Sequence, residues 1–199
     1  MPKLLLATNN QGKAREYKSL LEGVPFELVT PAQVGIDTEV EEVGKSFEEN
    51  AVLKATALAA ESGLLSLADD SGLEVEALGG EPGTLSARYA GEGVSDADRV
   101  SYLLAKLEGV PEGKRQACFK CVIAIATPEG EVELCSGECH GIIALKPAGN
   151  RGFGYDPVFY LPELKKTMAE LSPQEKNRIS HRGRAAEKAS QLLKEKYNK

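Results

Sequence analysis

Asp69-Asp70-Ser71-Gly72 follows the short apolar stretch Leu64-Leu65-Ser66-Leu67-Ala68 and leads into Leu73-Glu74-Val75-Glu76-Ala77-Leu78, which alternates as a strand does. This pattern predicts two adjacent carboxylates in a tight turn at a strand end. Neighbouring carboxylates oppose each other's ionisation unless a cation or a proton-transfer role compensates them. A bound divalent metal would supply that compensation; a solvated Asp-Ser-Gly turn is the alternative. Strand alternation sends Asp69 and Asp70 to opposite faces and leaves open which of them enters a site.

Three further groups have types and spacing suited to a phosphorylated, flat ligand. Thr8-Asn9-Asn10-Gln11-Gly12-Lys13 lies between a predicted strand and a predicted helix, where free helix amides, short polar side chains and a lysine can hold phosphate. It is not a Walker loop, because Ala7 stands where the first glycine belongs and Ala14 where the metal-binding hydroxyl belongs. Gly152-Phe153-Gly154-Tyr155-Asp156 sets an aromatic ring between glycines, so that a flat ligand such as a nucleobase can meet the ring. Lys176, Arg178, His181 and Arg182 fall within seven residues, beside Ser180 and Gly183. That set could clamp phosphate oxygens or read the polar edge of a base, or could form a solvated basic stretch.

Cys118-x2-Cys121 and Cys135-x3-Cys139 superficially resemble a zinc site. The segment from Gln116 to Thr127 reads as a strand, and residues three apart in a strand face opposite ways, so Cys118 and Cys121 do not share one metal. Buried, reduced thiols are the expectation for all four cysteines. His140 has no Ser or Cys partner in a nucleophile context and reads as structural.

The elements that must position these residues alternate between strand and helix. Lys3 to Ala7 reads as a buried strand and Lys13 to Leu21 as a helix with Ala14, Tyr17, Leu20 and Leu21 inward. A strand from Phe26 to Thr30 precedes an acidic loop, Asp37 to Glu42. Ser46-Phe47-Glu48-Glu49 is a capping box that opens a helix to about Glu61, with Phe47, Ala51, Ala55 and Leu58 on one face. Asp96 to Leu107 is an amphipathic helix with Val100, Leu103, Leu104 and Leu107 inward. Pro128-Glu129-Gly130 joins the Gln116 to Thr127 strand to a return strand over Glu131 to Cys139, and Gly141 to Leu145 continues the sheet. Ser172-Pro173-Gln174-Glu175 is a second capping box, and a last helix is expected from about Gly183 to Lys196. Without repeats or a long linker, the pattern predicts one α/β domain over residues 1 to 199.

The chain has 199 residues, 42% of them apolar, enough for a sizeable core. No apolar run approaches the roughly 20 residues that span a bilayer, and the Met1-Pro2-Lys3-Leu4 start is too short in apolar residues for a signal peptide, so a cytoplasmic protein without membrane contact is expected. The net charge of −6 lacks the basic field that non-specific nucleic-acid binding exploits. The charge is uneven, however. Residues 160 to 199 carry ten Lys or Arg against five Asp or Glu, whereas residues 1 to 50 carry five against nine, a distribution that suits a metal and an anion together.

Six motifs, in order, resemble the HAM1-like inosine/xanthosine triphosphate pyrophosphatases: Thr8-Asn9-Asn10-x-x-Lys13, Ser46-Phe47-x-Glu49-Asn50-Ala51-x-x-Lys54-Ala55, Ala68-Asp69-Asp70-Ser71-Gly72-Leu73, Ser86-Ala87-Arg88-Tyr89, Gly152-Phe153-Gly154-Tyr155-Asp156-Pro157 and Ile179-Ser180-His181-Arg182. They span nearly the whole chain. The resemblance implies a Mg2+-dependent homodimeric enzyme that converts ITP, dITP and XTP to the monophosphate and pyrophosphate. It also implies an elongated α/β fold, a mixed sheet flanked by helices, with the site in a cleft between two lobes. Carried over, Thr8, Asn9, Asn10, Gln11, Gly12 and Lys13 would hold the triphosphate with Ser71 and Lys54. Asp70 would be general base and metal ligand, joined on the metal by Glu42. Phe153 would stack on the base, with Gly154, Tyr155 and Asp156 completing its pocket, and Lys176, His181 and Arg182 would contact the nucleotide.

Overall fold

The computed structural model describes residues 1–197. Seven strands form one sheet: β1 (Lys3–Leu6), β2 (Glu27–Val29), β3 (Leu65–Val75), β4 (Gln116–Ala126), β5 (Val132–Ile143), β6 (Phe159–Leu161) and β7 (Lys166–Thr167), in the order β2-β1-β3-β4-β5-β6-β7. β1 pairs in parallel with both β2 and β3, whereas β6 is antiparallel to β5 and β7, so the sheet is mixed. The helices are α1 (Gln11–Leu20), α2 (Phe47–Ser62), α3 (Asp96–Lys106), α4 (Pro173–Ile179) and α5 (His181–Lys196). The α/β class expected from the alternation is the class observed.

The chain divides into two compact units, one of residues 1–70, 121–137 and 182–199 and the other of residues 71–120 and 138–181. β3, β4 and β5 each pass from one unit into the other.

In the first unit the strands are covered on both faces. Leu4, Leu6, Leu67, Cys121, Ile123 and Ile125 pack with Tyr17 and Leu21 at α1 and with Ala185, Ala186, Ala189 and Leu193 of α5. Their neighbours Leu5, Ala7, Ala68, Val122, Ala124 and Ala126 point the other way and pack with Phe47, Ala51, Ala55, Leu58 and Ala59 of α2. Burial on both faces is why these strands read as continuous apolar runs. In the second unit one face is covered: Leu73, Val75, Ala117, Phe119, Cys139 and Ile143 pack with Val100, Leu103 and Leu107 at α3. The alternate residues Glu74, Cys118, Lys120, Glu138 and His140 are half-buried or exposed. Arg115, buried, donates to the carbonyls of Leu107 and Val110 and so secures the chain where α3 ends.

Several local expectations need correction. Asp69-Asp70-Ser71-Gly72 is not a turn at a strand end: β3 runs straight through it, from Leu65 to Val75. Both aspartates have charged or amide partners, so the backbone has no need to bring them to water. The capping box at α2 is only half formed. Ser46 Oγ accepts from the Glu49 amide, but Glu49 reaches past Ser46 to the Lys45 amide, at 2.6 Å. The box at α4 is complete. Gly141 to Ile143 belongs to β5, which does not break at Cys139. α5 begins two residues before the expected Gly183, so His181 and Arg182 lie in its first turn. Cys121, Cys135 and Cys139 are buried free thiols as expected, but Cys118 is only half-buried.

Candidate active site

The alternation of β3 decides what each aspartate meets. Asp69 lies on the same face as Leu67, toward α1 and α5. There Lys13 Nζ stands 3.1 Å from its Oδ1 and Arg182 Nε 3.3 Å from its Oδ2. Arg182 also pairs with Glu16 at 2.7 Å, and its guanidinium lies 6.0 Å from the centre of the Tyr17 ring. Burial alone would push the Asp69 carboxyl up, but Lys13, Arg182 and Lys54 outweigh it and hold the group well below the usual carboxylate range. Asp69 is therefore a fixed anion that binds cations in place.

Asp70 lies on the opposite face, with Ala68, toward α2. Asn50 Nδ2 donates to its Oδ2 at 3.1 Å, and Lys54 Nζ is 3.5 Å from its Oδ1. The same ammonium pairs with Glu42 Oε1 at 2.7 Å and donates to the Asp69 carbonyl at 2.7 Å. Burial raises the Asp70 pKa; Lys54 pulls it down, Glu42 pushes it up again, and the net direction is upward. Lys54 loses by burial but gains more from Asp70, Asp69 and Glu42, so its pKa rises and it stays charged.

Asn50 lies outside the expected site residues, yet it joins two parts of this group. Its Oδ1 accepts from the Gly44 amide at 2.8 Å, which fastens the acidic loop that carries Glu42, while its Nδ2 holds Asp70. A Cβ on Gly44 would lie 2.6 Å from that same Oδ1, so glycine is required there. The available signal was helical spacing: Asn50 and Lys54 are four residues apart on α2 and share a face.

A divalent cation fits this corner. Glu42 and Asp70 present hard carboxylate oxygens to one ammonium, which marks the place where positive charge is stabilised. Mg2+ commonly takes only one or two protein carboxylates and completes its shell with water and substrate phosphate. Glu42 and Asp70 are the residues that would hold it.

The expected phosphate loop is partly the start of a helix. α1 begins at Gln11, so Gln11, Gly12 and Lys13 form its first turn. Asn10 is its N-cap, with Oδ1 accepting from the Lys13 amide at 3.0 Å, and Thr8 Oγ1 accepts from the Asn10 amide at 3.2 Å. Asn9, Asn10 and Gln11 are exposed, and Lys13 turns inward to Asp69.

The remaining expected residues belong to the second unit. Asp156, buried, accepts from Lys176 Nζ at 2.6 Å and from the Phe153 amide at 3.0 Å through the same Oδ2. Lys176 Nζ lies 4.9 Å from the centre of the Phe153 ring, which is half-buried. Gly154 donates its amide to Asp96 at 2.7 Å, so the first turn of α3 holds the glycine loop. Tyr155 is buried, its hydroxyl donating to the Ser86 carbonyl at 2.7 Å, which makes it a brace beneath the loop. His181 is buried with its ring stacked on Phe119, centroids 4.6 Å apart. Ser71 is half-buried on β3.

The expected residues thus gather in two clusters: cations and carboxylates around Asp69 and Asp70 in the first unit, and Phe153 with Asp156 and Lys176 in the second. A sequence model of the Ham1 family matches residues 4–192. The chain belongs to the Ham1 family. Among Ham1 relatives it is similar to a dITP/XTP pyrophosphatase of Desulforamulus reducens, 51% identical across 98% of this chain and 97% of the relative. It is also similar to a dITP/XTP pyrophosphatase of Bacillus subtilis, 44% identical across 97% of this chain and 98% of the relative. Its fold matches a solved HAM1 protein from Coxiella burnetii with a TM-score of 0.89 at 42% identity, covering 97% of this chain and 98% of that one. The Ham1 protein of Staphylococcus aureus matches with a TM-score of 0.86 at 44% identity, over 96% and 97% of the two chains.

Proposed function

We propose that the protein hydrolyses deaminated purine nucleoside triphosphates, ITP, dITP and XTP, to the monophosphate and pyrophosphate, and so keeps deaminated purines out of DNA and RNA. Full-length similarity to relatives named dITP/XTP pyrophosphatase supports the substrate class. The observation that carries the chemistry is the Lys54 ammonium held between the carboxylates of Glu42 and Asp70.

The residues divide the work by charge. Lys13 and Lys54 offset the negative charge of a triphosphate and of the pyrophosphate that leaves. Asp70 takes the proton from the attacking water. A free aspartate, with a pKa near ~3.9, is a weak base at neutral pH, and the upward shift that burial imposes on Asp70 moves it toward a useful range. Mg2+, held by Glu42 and Asp70, would neutralise phosphate charge and polarise the reacting phosphorus. Asp69 stays ionised and keeps Lys13 and Arg182 where anions need them. Thr8, Asn9, Asn10, Gln11 and Gly12 offer amide and side-chain donors to phosphate at the start of α1, and Ser71 adds a hydroxyl.

Base recognition falls to Phe153, Gly154, Tyr155, Asp156, Lys176, His181 and Arg182. Phe153 supplies the stacking ring, and Lys176 a donor for a 6-oxo group. Hypoxanthine and xanthine carry that oxo group with an N1-H, whereas adenine presents the reverse pattern. Guanine shares both groups, and its exclusion falls on the 2-amino group. The protein acts on free nucleotides in the cytoplasm as a homodimer. The acidic net charge supports a partner other than nucleic acid, and no helix among the described residues is long and apolar enough to cross a membrane.

The test is product analysis by ion chromatography after incubation with ITP, XTP, GTP and ATP, each with Mg2+ and with EDTA. Monophosphate and pyrophosphate from ITP and XTP, little from GTP and ATP, and none with EDTA is the expected outcome. Orthophosphate as the product would overturn the cleavage assignment, and turnover in EDTA would overturn the metal.

A further inference from the structure

The open face of the sheet in the second unit carries a group unrelated to nucleotide chemistry. Cys118 on β4 and Glu138 and His140 on β5 place one ligand atom each within 4.8 Å of one another. His140 Nε2 is 4.0 Å from Cys118 Sγ and 3.5 Å from Glu138 Oε2, so a single imidazole nitrogen faces both other donors. Strand alternation explains the convergence. It separates Cys118 from Cys121, as the sequence predicts, but brings Cys118 beside the outward residues of the neighbouring strand. His140, which sequence alone leaves without a cysteine partner, has one across the sheet.

We propose that Cys118, Glu138 and His140 form a three-ligand Zn2+ site on this face, with the fourth position open to water. Thiolate, imidazole and carboxylate are the three ligand types that zinc accepts, and tetrahedral bonds of about 2.0 to 2.3 Å put ligand atoms about 3.3 to 3.6 Å apart. The observed spacings lie close enough that small side-chain rotations complete the geometry. The ligands stand on paired strands, so little backbone order has to be gained on binding. Hard cations such as Mg2+ have no preference for a thiol, which separates this site chemically from the Glu42 and Asp70 pair.

Titration of the metal-free, reduced full-length protein with Co2+ tests the assignment, because a thiolate ligand gives cobalt a near-ultraviolet charge-transfer band that carboxylates do not. One equivalent of Co2+ per chain should generate the band, and Zn2+ should bleach it by displacement. Cys118→Ser should abolish the band, and His140→Ala should weaken binding by about tenfold or more. Zn2+ should raise the melting temperature of the parent protein and leave that of Cys118→Ser unmoved. A band that survives in Cys118→Ser would assign the metal to another thiol and overturn the proposal, as would the absence of any band in the parent. His140 is 75% exposed, so its alanine variant reports on the site even where the Cys118 substitution disturbs folding.

Discussion

Asp69 and Asp70 are identical in type and adjacent in sequence, and burial acts on both, but the two faces of one strand give them opposite electrostatics. At Asp69 burial is outweighed by Lys13 and Arg182, which hold it ionised; at Asp70 burial, with Glu42 beside it, outweighs Lys54 and raises the pKa. Of the two, Asp70 is the more basic, so the two positions are not interchangeable. Asp70→Asn should lower kcat for ITP by about a hundredfold or more while the melting temperature changes little; a folded variant with parental turnover would remove Asp70 from the chemistry. Asn50 acts through others, since it ties the Gly44 amide to Asp70. Asn50→Ala should cost about ten- to a hundredfold in activity and raise the Mg2+ concentration needed for half-maximal rate. Loss of stability with an unchanged Mg2+ dependence would instead make Asn50 a purely structural residue.

At the level of elements, hydrophobic periodicity made the helices legible. Ala14, Tyr17 and Leu21 at α1, Phe47, Ala51, Ala55 and Leu58 on α2, and Val100, Leu103 and Leu107 at α3 are all buried as that periodicity predicts. What stayed hidden was set by long-range partners. Acid-acid-Ser-Gly has the local chemistry of a turn, and partners distant in sequence, Lys13, Lys54, Asn50 and Arg182 among them, allow a strand to carry two carboxylates inside. Likewise Tyr155 could be seen as an aromatic of the glycine loop, but its role as a brace depends on Ser86, 69 residues away. The glycine loop itself makes a testable case. Gly152 has φ +73°, and a Cβ there would lie 2.0 Å from Asp156 Oδ2, the atom that receives both the Phe153 amide and Lys176. Gly152→Ala should therefore displace that carboxylate and raise KM for ITP by about tenfold, equivalent to ~1.4 kcal/mol, with a smaller change in kcat. An unchanged KM would show that the Asp156 contacts do not shape base recognition.

For the whole molecule, the same burial that protects the core makes stability sensitive to alkali. Cys121 and Tyr17 are fully buried, and their sulfur and hydroxyl oxygen are 3.8 Å apart. Burial, with help from Asp69, pushes the Cys121 thiol up to about 12, and burial likewise lifts the Tyr17 hydroxyl well above its ordinary value. In the unfolded chain the two groups ionise near ~8.5 and ~10. Between those values and the folded ones, the folded protein binds more protons than the unfolded chain, so its stability falls as pH rises. The part due to Cys121 is fully present below pH ~8.5 and declines by up to ~1.4 kcal/mol per pH unit between there and about pH 12. Urea unfolding from pH 7 to 11 should therefore show stability level to about pH 8 and falling beyond it. Cys121→Ala should lower stability at every pH by removing core volume, yet flatten the slope above pH ~8.5 by nearly that amount. Tyr17→Phe should flatten it only above pH ~10. A Cys121→Ala protein with the parental slope would mean that the thiol ionises inside the fold, and that the charge beside Asp69 is tolerated by Lys13 and Arg182 rather than excluded.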